Sequence, residues 1–149
     1  MKKILFINPF GIGDVLFTTA LIRHIKEKVP GSKISYWCNQ RAGDIVLSNP
    51  HINKVFALSR GDLKKIYAES FFAGISQFVS LLYKIKKENF DTVFDFSLDY
   101  RYSLIAKLLG IKQRIGYDYK NRGRFLTVKK ELTAFSGRHI VEYYLDLLS

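Results

Sequence analysis

Residues 4–37 read ILFINPFGIGDVLFTTALIRHIKEKVPGSKISYW. Lys3 to Ile7 is an apolar run behind a lysine, which predicts a strand buried on both faces. Val15, Leu16, Ala20, Leu21, Ile22 and Ile25 then fall at helical spacing between Asp14 and Val29, and Pro30-Gly31 stops the helix. Lys33 to Trp37 returns to alternating, β-branched residues and predicts a second strand. Strand, helix and strand this close together form the unit from which parallel sheets are built.

The turn between the first strand and helix carries Gly11 and Gly13. A glycine turn in this position commonly cradles a phosphate on the helix N-terminus. The dinucleotide fingerprint needs a third glycine or an alanine, and Leu16 stands there instead. The Gly-Lys-Ser/Thr of a P-loop is also missing. The first helical residue is Asp14, whose charge would repel a phosphate. Two readings fit an aspartate here. It can punctuate the helix as a cap. Alternatively, held ionised by the helix dipole at the ligand-binding edge of an open sheet, it can accept a proton from a substrate hydroxyl, while Gly11 and Gly13 let a bulky substrate approach the backbone.

The same alternation continues along the chain. Ala42 to Ser48 predicts a short helix closed by Asn49-Pro50, and Lys54 to Leu58 a third strand. Asp62 to Lys87 predicts one long helical region with a broad apolar face that includes Phe71, Gly74, Ile75, Phe78 and Ile85; the exposure of Phe71, Phe72 and Phe78 tells whether it is core. Asp91 to Phe96 predicts a fourth strand. Tyr100 to Leu109 is a helix ended by Gly110, Gln113 to Gly116 a short fifth strand, and Arg138 to Leu148 a last helix after a basic loop. The expected class is α/β: a Rossmann-like, doubly wound parallel sheet with helices on both faces, forming one domain over residues 1–149.

Composition narrows the setting. Hydrophobic residues make up 48% of the 149, enough for a real core. The single cysteine, Cys38, rules out a disulfide framework and reads as a small buried residue. The N-terminal apolar run breaks at Asn8-Pro9 and is followed by no small-residue cleavage pattern, unlike a signal peptide. Phe71 to Tyr83 is too short to span a bilayer. A soluble, cytoplasmic protein is expected.

Net charge is +11, from 24 Lys+Arg against 13 Asp+Glu, which favours an anionic partner. Lys112, Arg114, Lys120, Arg122, Arg124, Lys129 and Lys130 lie in one stretch with Asp118 the single acid, interleaved with Tyr117, Tyr119 and Phe125. Arginine forks suit phosphate and carboxylate groups. A solvated basic loop without a role is the plainer reading. Lys64, Lys65, Lys84, Lys86 and Lys87 flank the apolar face of residues 62–87, which reads as core; the alternative is a face lying on an anionic membrane. His24, His51 and His139 have no ligand spacing, so no metal is expected. Asp95 and Asp99 flank the end of the fourth strand, where turn and cap roles are common.

The opening stretch resembles that of the family 9 glycosyltransferases, the lipopolysaccharide heptosyltransferases: a strand, a Gly-Asp-Val turn, a helix with threonines, then a Pro-x-x-x-Ile strand. LSNPHINKVFAL, FDTVFDF, RIGYDYKNRGRFLT and HIVEYYLDLL resemble later segments of that family in the same order, so the likeness spans nearly the whole chain. Two departures stand out. Ala20 occupies a place where members often carry proline, and Asn8-Pro9-Phe10 one where many carry a basic residue.

The resemblance implies a GT-B enzyme of two Rossmann-like domains, of which this chain matches the N-terminal, acceptor-side one. It implies Asp14 as the catalytic base. Gly11, Gly13, Tyr117, Lys120, Arg122 and Arg124 would face a lipopolysaccharide-type acceptor that is rich in phosphate and acidic sugars. The donor would be a nucleotide sugar of the ADP-heptose kind, a substrate rather than a cofactor, held by a second domain outside this chain. Contact with the cytoplasmic face of the inner membrane would follow, with no role for nucleic acid. The competing reading is a non-catalytic basic α/β module that binds nucleic acid or anionic lipid through the same basic stretch.

Overall fold

The computed structural model describes residues 1–149. Six strands form one sheet in the order β3-β2-β1-β4-β5-β6, and every neighbouring pair is parallel. They are β1 (Lys3–Ile7), β2 (Lys33–Cys38), β3 (Ile52–Ala57), β4 (Thr92–Asp95), β5 (Gln113–Tyr119) and β6 (Val128–Leu132). The helices are α1 (Ile12–Phe17), α2 (Thr19–Lys28), α3 (Gln40–Leu47), α4 (Arg60–Glu69), α5 (Phe71–Glu88), α6 (Tyr100–Leu108) and α7 (Ile140–Asp146). The chain runs outward from β1 to β3, then crosses back to lay β4 on the other side of β1. Strand order therefore reverses between β1 and β4, and a ligand crevice is expected above the carboxyl ends of those two strands.

Alternation along β1 builds a core on each face. Ile4 and Phe6 point into a cluster with Val15, Leu21, Ile22, Ala42, Val46, Tyr144 and Leu147, from α1, α2, α3 and α7. Leu5 and Ile7 point the other way, into Trp37, Leu63, Leu81, Ile85, Tyr102 and Ala106, from β2, α4, α5 and α6. Phe6 is fully buried, its ring centre 5.3–5.8 Å from those of Tyr36, Phe94 and Phe96. This is the doubly wound arrangement that the sequence pattern predicts.

Three departures from the sequence reading have physical causes. The helix expected over Asp14 to Val29 is two helices, joined at Thr18. Its buried hydroxyl donates to the Val15 carbonyl at 2.6 Å and pairs with the Tyr36 hydroxyl at 2.7 Å. Thr19 likewise donates to Leu16 O at 2.7 Å, and such back-bonding bends a helix.

The long helix over Asp62 to Lys87 also breaks, at Ser70, which turns extended and caps α5 by accepting from the Ala73 N–H. Gly74 is the residue that permits the fold-back of α4 on α5: a Cβ there would lie 2.4 Å from the Tyr67 ring. Nor is the apolar face of this region wholly core. Gly74, Leu81 and Ile85 are buried, whereas Phe71 and Phe72 stand 63% and 83% exposed.

Finally, the stretch read as a basic loop after Gly116 is strand, turn and strand. β5 runs on to Tyr119, and β6 was not expected at all. Parallel β5 and β6 are joined by residues 120–127 without a helix, helped by left-handed backbone at Lys120 and Asn121.

Candidate functional site

The β1–α1 turn is set by amides rather than by glycine geometry. Gly11 caps α1 in ordinary extended backbone (φ −66°, ψ 172°), and neither Gly11 nor Gly13 has positive φ. Asn8, fully buried at the end of β1, accepts from the Phe10 N–H at 3.2 Å and donates to the Asp14 carbonyl at 3.4 Å. From the far side, Asn39 donates to the carbonyls of Pro9 and Phe10 at 3.2 and 2.7 Å while its oxygen caps α3. The turn is thus clamped between the ends of β1 and β2. A Cβ at Gly11 or Gly13 would meet nothing within 4 Å, so both glycines front open space.

Asp14 is the third residue of α1. No side chain caps this helix, so Asp14 is not its punctuation. The carboxylate is half-buried and accepts no hydrogen bond from any group of the chain. It lies at the positive end of the helix, over the carboxyl edge of the sheet, beside Tyr144, whose hydroxyl proton is retained by burial, with the Asp14 charge adding to the effect. His139 stands nearby at the start of α7. Its Nδ1 accepts from the Val141 N–H, and its ring meets Phe17 edge-on at 5.1 Å.

On the other side of the crevice, Asp95 ends β4. It is buried, and one oxygen accepts from the Ser97 N–H at 2.9 Å and the Ser97 hydroxyl at 2.5 Å. Burial pushes this carboxyl up to about 6 against the pull of those bonds, with Asp99 adding to the rise. An acid raised on folding loses stability as pH climbs from its unfolded to its folded value, here from about pH 4 to about pH 6. Asp95→Asn is therefore expected to flatten that slope. It should raise stability at neutral pH by about 1–2 kcal/mol, less than the full ~3 kcal/mol of the shift because one acceptor is weakened. Urea unfolding on both sides of the window checks it. Asp99 is a cap and ion-pair residue: it accepts from the Arg101 N–H and pairs with Arg60 at 2.7 Å and Arg101 at 3.4 Å.

The basic residues separate into two groups. Arg114 is structural, donating to the carbonyls of Phe125 and Ile111 at 2.6 Å. Tyr117 is buried, with its hydroxyl donated to the Tyr143 carbonyl, so it supports the β5 end from below rather than facing a ligand. Asp118 anchors the turn by accepting from the Gly123 N–H and from Lys129, both at 3.0 Å, which hold its carboxyl below the usual range. Lys120, Arg122 and Arg124 remain exposed on the turn that leaves the carboxyl end of β5. The Arg124 guanidinium stacks 4.7 Å over Tyr100. β5 is two strands from β1, or about 10 Å in the pairing direction, so this turn and Asp14 share one edge of the sheet.

Sequence reasoning missed Asn8 and Asn39, since their task is to brace a loop that only the folded sheet brings together. It also missed a hollow of about 650 Å³ near the same edge, where Arg60, Lys64 and Arg101 rim an apolar floor of Leu63, Tyr67 and Phe78. A second hollow of about 380 Å³, lined by His24, Thr92 and Gln113, lies at the opposite end of the strands. Cys38 is buried, its thiol pushed up to about 12 by desolvation and by Asp62. No three metal-ligating side chains converge, and no helix is long and apolar enough to cross a membrane.

No protein-family model matches the chain. In sequence it is similar to lipopolysaccharide heptosyltransferase 3 of Escherichia coli strain K12, 27% identical over 138 residues, which cover 91% of this chain and 38% of that protein. The similarity falls in the N-terminal region of that relative. Among solved structures, E. coli heptosyltransferase WaaC with ADP matches 97% of this chain and 46% of its own at a TM-score of 0.81 and 16% identity. A glycosyl transferase family 9 structure from Veillonella parvula matches 99% and 40% at a TM-score of 0.75 and 20% identity. The fold is therefore that of one Rossmann-like half of a GT-B heptosyltransferase, and the chain spans about two-fifths of the relatives it matches.

Proposed function

We propose that this chain is the acceptor-binding half of an inverting glycosyltransferase and that Asp14 is its base. The acceptor hydroxyl oxygen forms the new bond to the anomeric carbon of a nucleotide-activated sugar as the bond from that carbon to the nucleotide phosphate breaks. The hydroxyl proton passes to Asp14, and the nucleoside diphosphate leaves on the opposite face. The observation that carries this reading is a half-buried carboxylate in the first turn of α1 that accepts no bond from its own chain, one residue beyond a turn whose Gly11 and Gly13 front open space. A carboxylate needed only for folding would be expected to find a donor.

The donor is read as a sugar of the ADP-heptose class, because the sequence similarity is to a lipopolysaccharide heptosyltransferase. It supplies its own leaving group, so no cofactor takes part. The work is cytoplasmic, on an acceptor of the lipopolysaccharide type. Neither hollow described above is lined by Asp14, and most of the rate such an enzyme gains comes from holding donor and acceptor together. The chain alone is expected to transfer no sugar above background when given ADP-heptose and a lipopolysaccharide-type acceptor. Robust turnover in that assay would refute the half-site reading.

Acceptor phosphates are assigned to Lys120, Arg122 and Arg124, which share the sheet edge with Asp14. Replacing Lys120 and Arg122 with glutamate is expected to weaken binding of a phosphorylated acceptor about tenfold or more, with little effect on a dephosphorylated one. Calorimetric titration with both acceptors measures the difference. Equal affinities would return this turn to plain surface.

A further inference from the structure

The exposed side of α5 is a built apolar stripe, and the geometry points to its occupant as an anionic phospholipid surface. Phe72, Ile75, Val79 and Tyr83 follow one another at steps of three, four and four residues, which keeps them on one line of the helix, with Phe71 beside it. All are exposed; Val79 is 57% and Tyr83 67% open to solvent. The core-facing line of Gly74, Leu81 and Ile85 is separate from it. Lone exposed apolar residues are ordinary, but an aligned row with two adjacent phenylalanines at its head is an interaction surface.

The position of α5 gives the stripe a direction. Ser76 and Gln77 lie beside Ala57 and Leu58 at the carboxyl end of β3, while Lys87 and Glu88 lie beside Asn53 and Lys54 at its start. α5 therefore runs antiparallel to β3. Its 18 residues extend about 27 Å, against about 20 Å for the six residues of β3. Phe71 and Phe72, ahead of Ser76, overhang the same edge of the sheet that carries Asp14. A membrane met by the stripe would hold a lipid-linked substrate close to that edge.

Charge selects the membrane over a second copy of the chain. Lys86 continues the row by one further step and Lys87 flanks it, while Lys64 and Lys65 stand exposed on the adjoining α4. Glu88 is taken up by Lys54 and Asp62 by the cap of α4, which leaves Glu69 as the acid on these two helices without a salt bridge. Two chains of net charge +11 meeting through this face would bring like charges together, whereas anionic headgroups would satisfy them. An amphipathic face with aromatic residues and lysines is the pattern that settles into a headgroup layer.

The test is co-sedimentation of the full chain with vesicles of phosphatidylethanolamine and phosphatidylglycerol, and with phosphatidylcholine alone. The expected result is binding to the anionic vesicles that weakens as salt rises, with little binding to phosphatidylcholine. A Phe71→Ser/Phe72→Ser double variant should bind at least tenfold more weakly. Leu108→Ser, which alters an exposed leucine on α6, should bind as the parent does, and matching melting curves would show that both variants fold. Absence of binding, or binding that the double variant leaves intact, overturns the proposal. So does a concentration-dependent dimer, seen in analytical ultracentrifugation, that the double variant dissolves. The inference does not depend on Asp14: an Asp14→Asn chain should bind vesicles unchanged, so docking and catalysis fail separately.

Discussion

Asp14→Asn is expected to lower sugar transfer by about 10²- to 10⁴-fold in a protein that joins this domain to its donor-holding half, because asparagine keeps the shape and loses the base. The loss should fall on kcat, with acceptor affinity within a few-fold of the parent. Stability should hardly change. Asp14 caps nothing, its side chain holds no partner, and only a modest interaction with the N-terminal end of α1 is given up, worth about 0.3–1 kcal/mol. Steady-state kinetics with a parallel unfolding curve separates the two effects. A variant that transfers sugar normally would leave the domain as a basic binding module. One that unfolds would make residue 14 a structural aspartate.

The largest effect on stability is expected at Trp37. Its side chain is 2% exposed, meets the Tyr102 ring edge-on at 5.0 Å, and donates its indole N–H to the Leu58 carbonyl at 2.7 Å. Trp37→Ala opens a cavity between β2 and α6 and leaves a buried carbonyl without its donor. The expected cost is about 3–5 kcal/mol, a large share of the stability of a domain this size. Trp37→Phe keeps most of the volume and should recover roughly half. Urea denaturation of the parent and both variants gives the numbers. Losses below 1 kcal/mol for alanine would mean that the aromatic core on the α4–α6 face is looser than its packing shows.

How much of this could be read from the chain follows from what each residue faces. β1, β2 and β4 announced themselves because central parallel strands are apolar on both faces, and the edge strand β3 through its Val55-Phe56-Ala57-Leu58 run. β6 did not. Val128 to Leu132 carries Lys129, Lys130 and Glu131 and buries only Leu132, since an edge strand has one flank in water. The breaks at Thr18 and Ser70 stayed hidden because a hydroxyl residue fits a helical pattern; only Tyr36 over Thr18, and the Tyr67 ring against Gly74, make the bends worthwhile. Along α5 two apolar lines share one helical period, so a single broad face was read where a core line and an exposed stripe exist. At the site, Asp14 was visible from its turn. Asn8 and Asn39 were not, because an amide that braces a loop carries no pattern of its own. Tyr117 appeared beside basic residues in the sequence, yet β5 turns it inward beneath them.

The central claim is that the crevice edge bearing the uncapped Asp14 receives the acceptor. Amide chemical shifts of the chain, followed during titration with a phosphorylated inner-core oligosaccharide, test it most directly. Saturable shifts are expected at Gly11, Gly13 and Asp14, joined by Lys120 and Arg122. Shifts confined to the hollow near His24, or none at concentrations where an acceptor should bind, would contradict it.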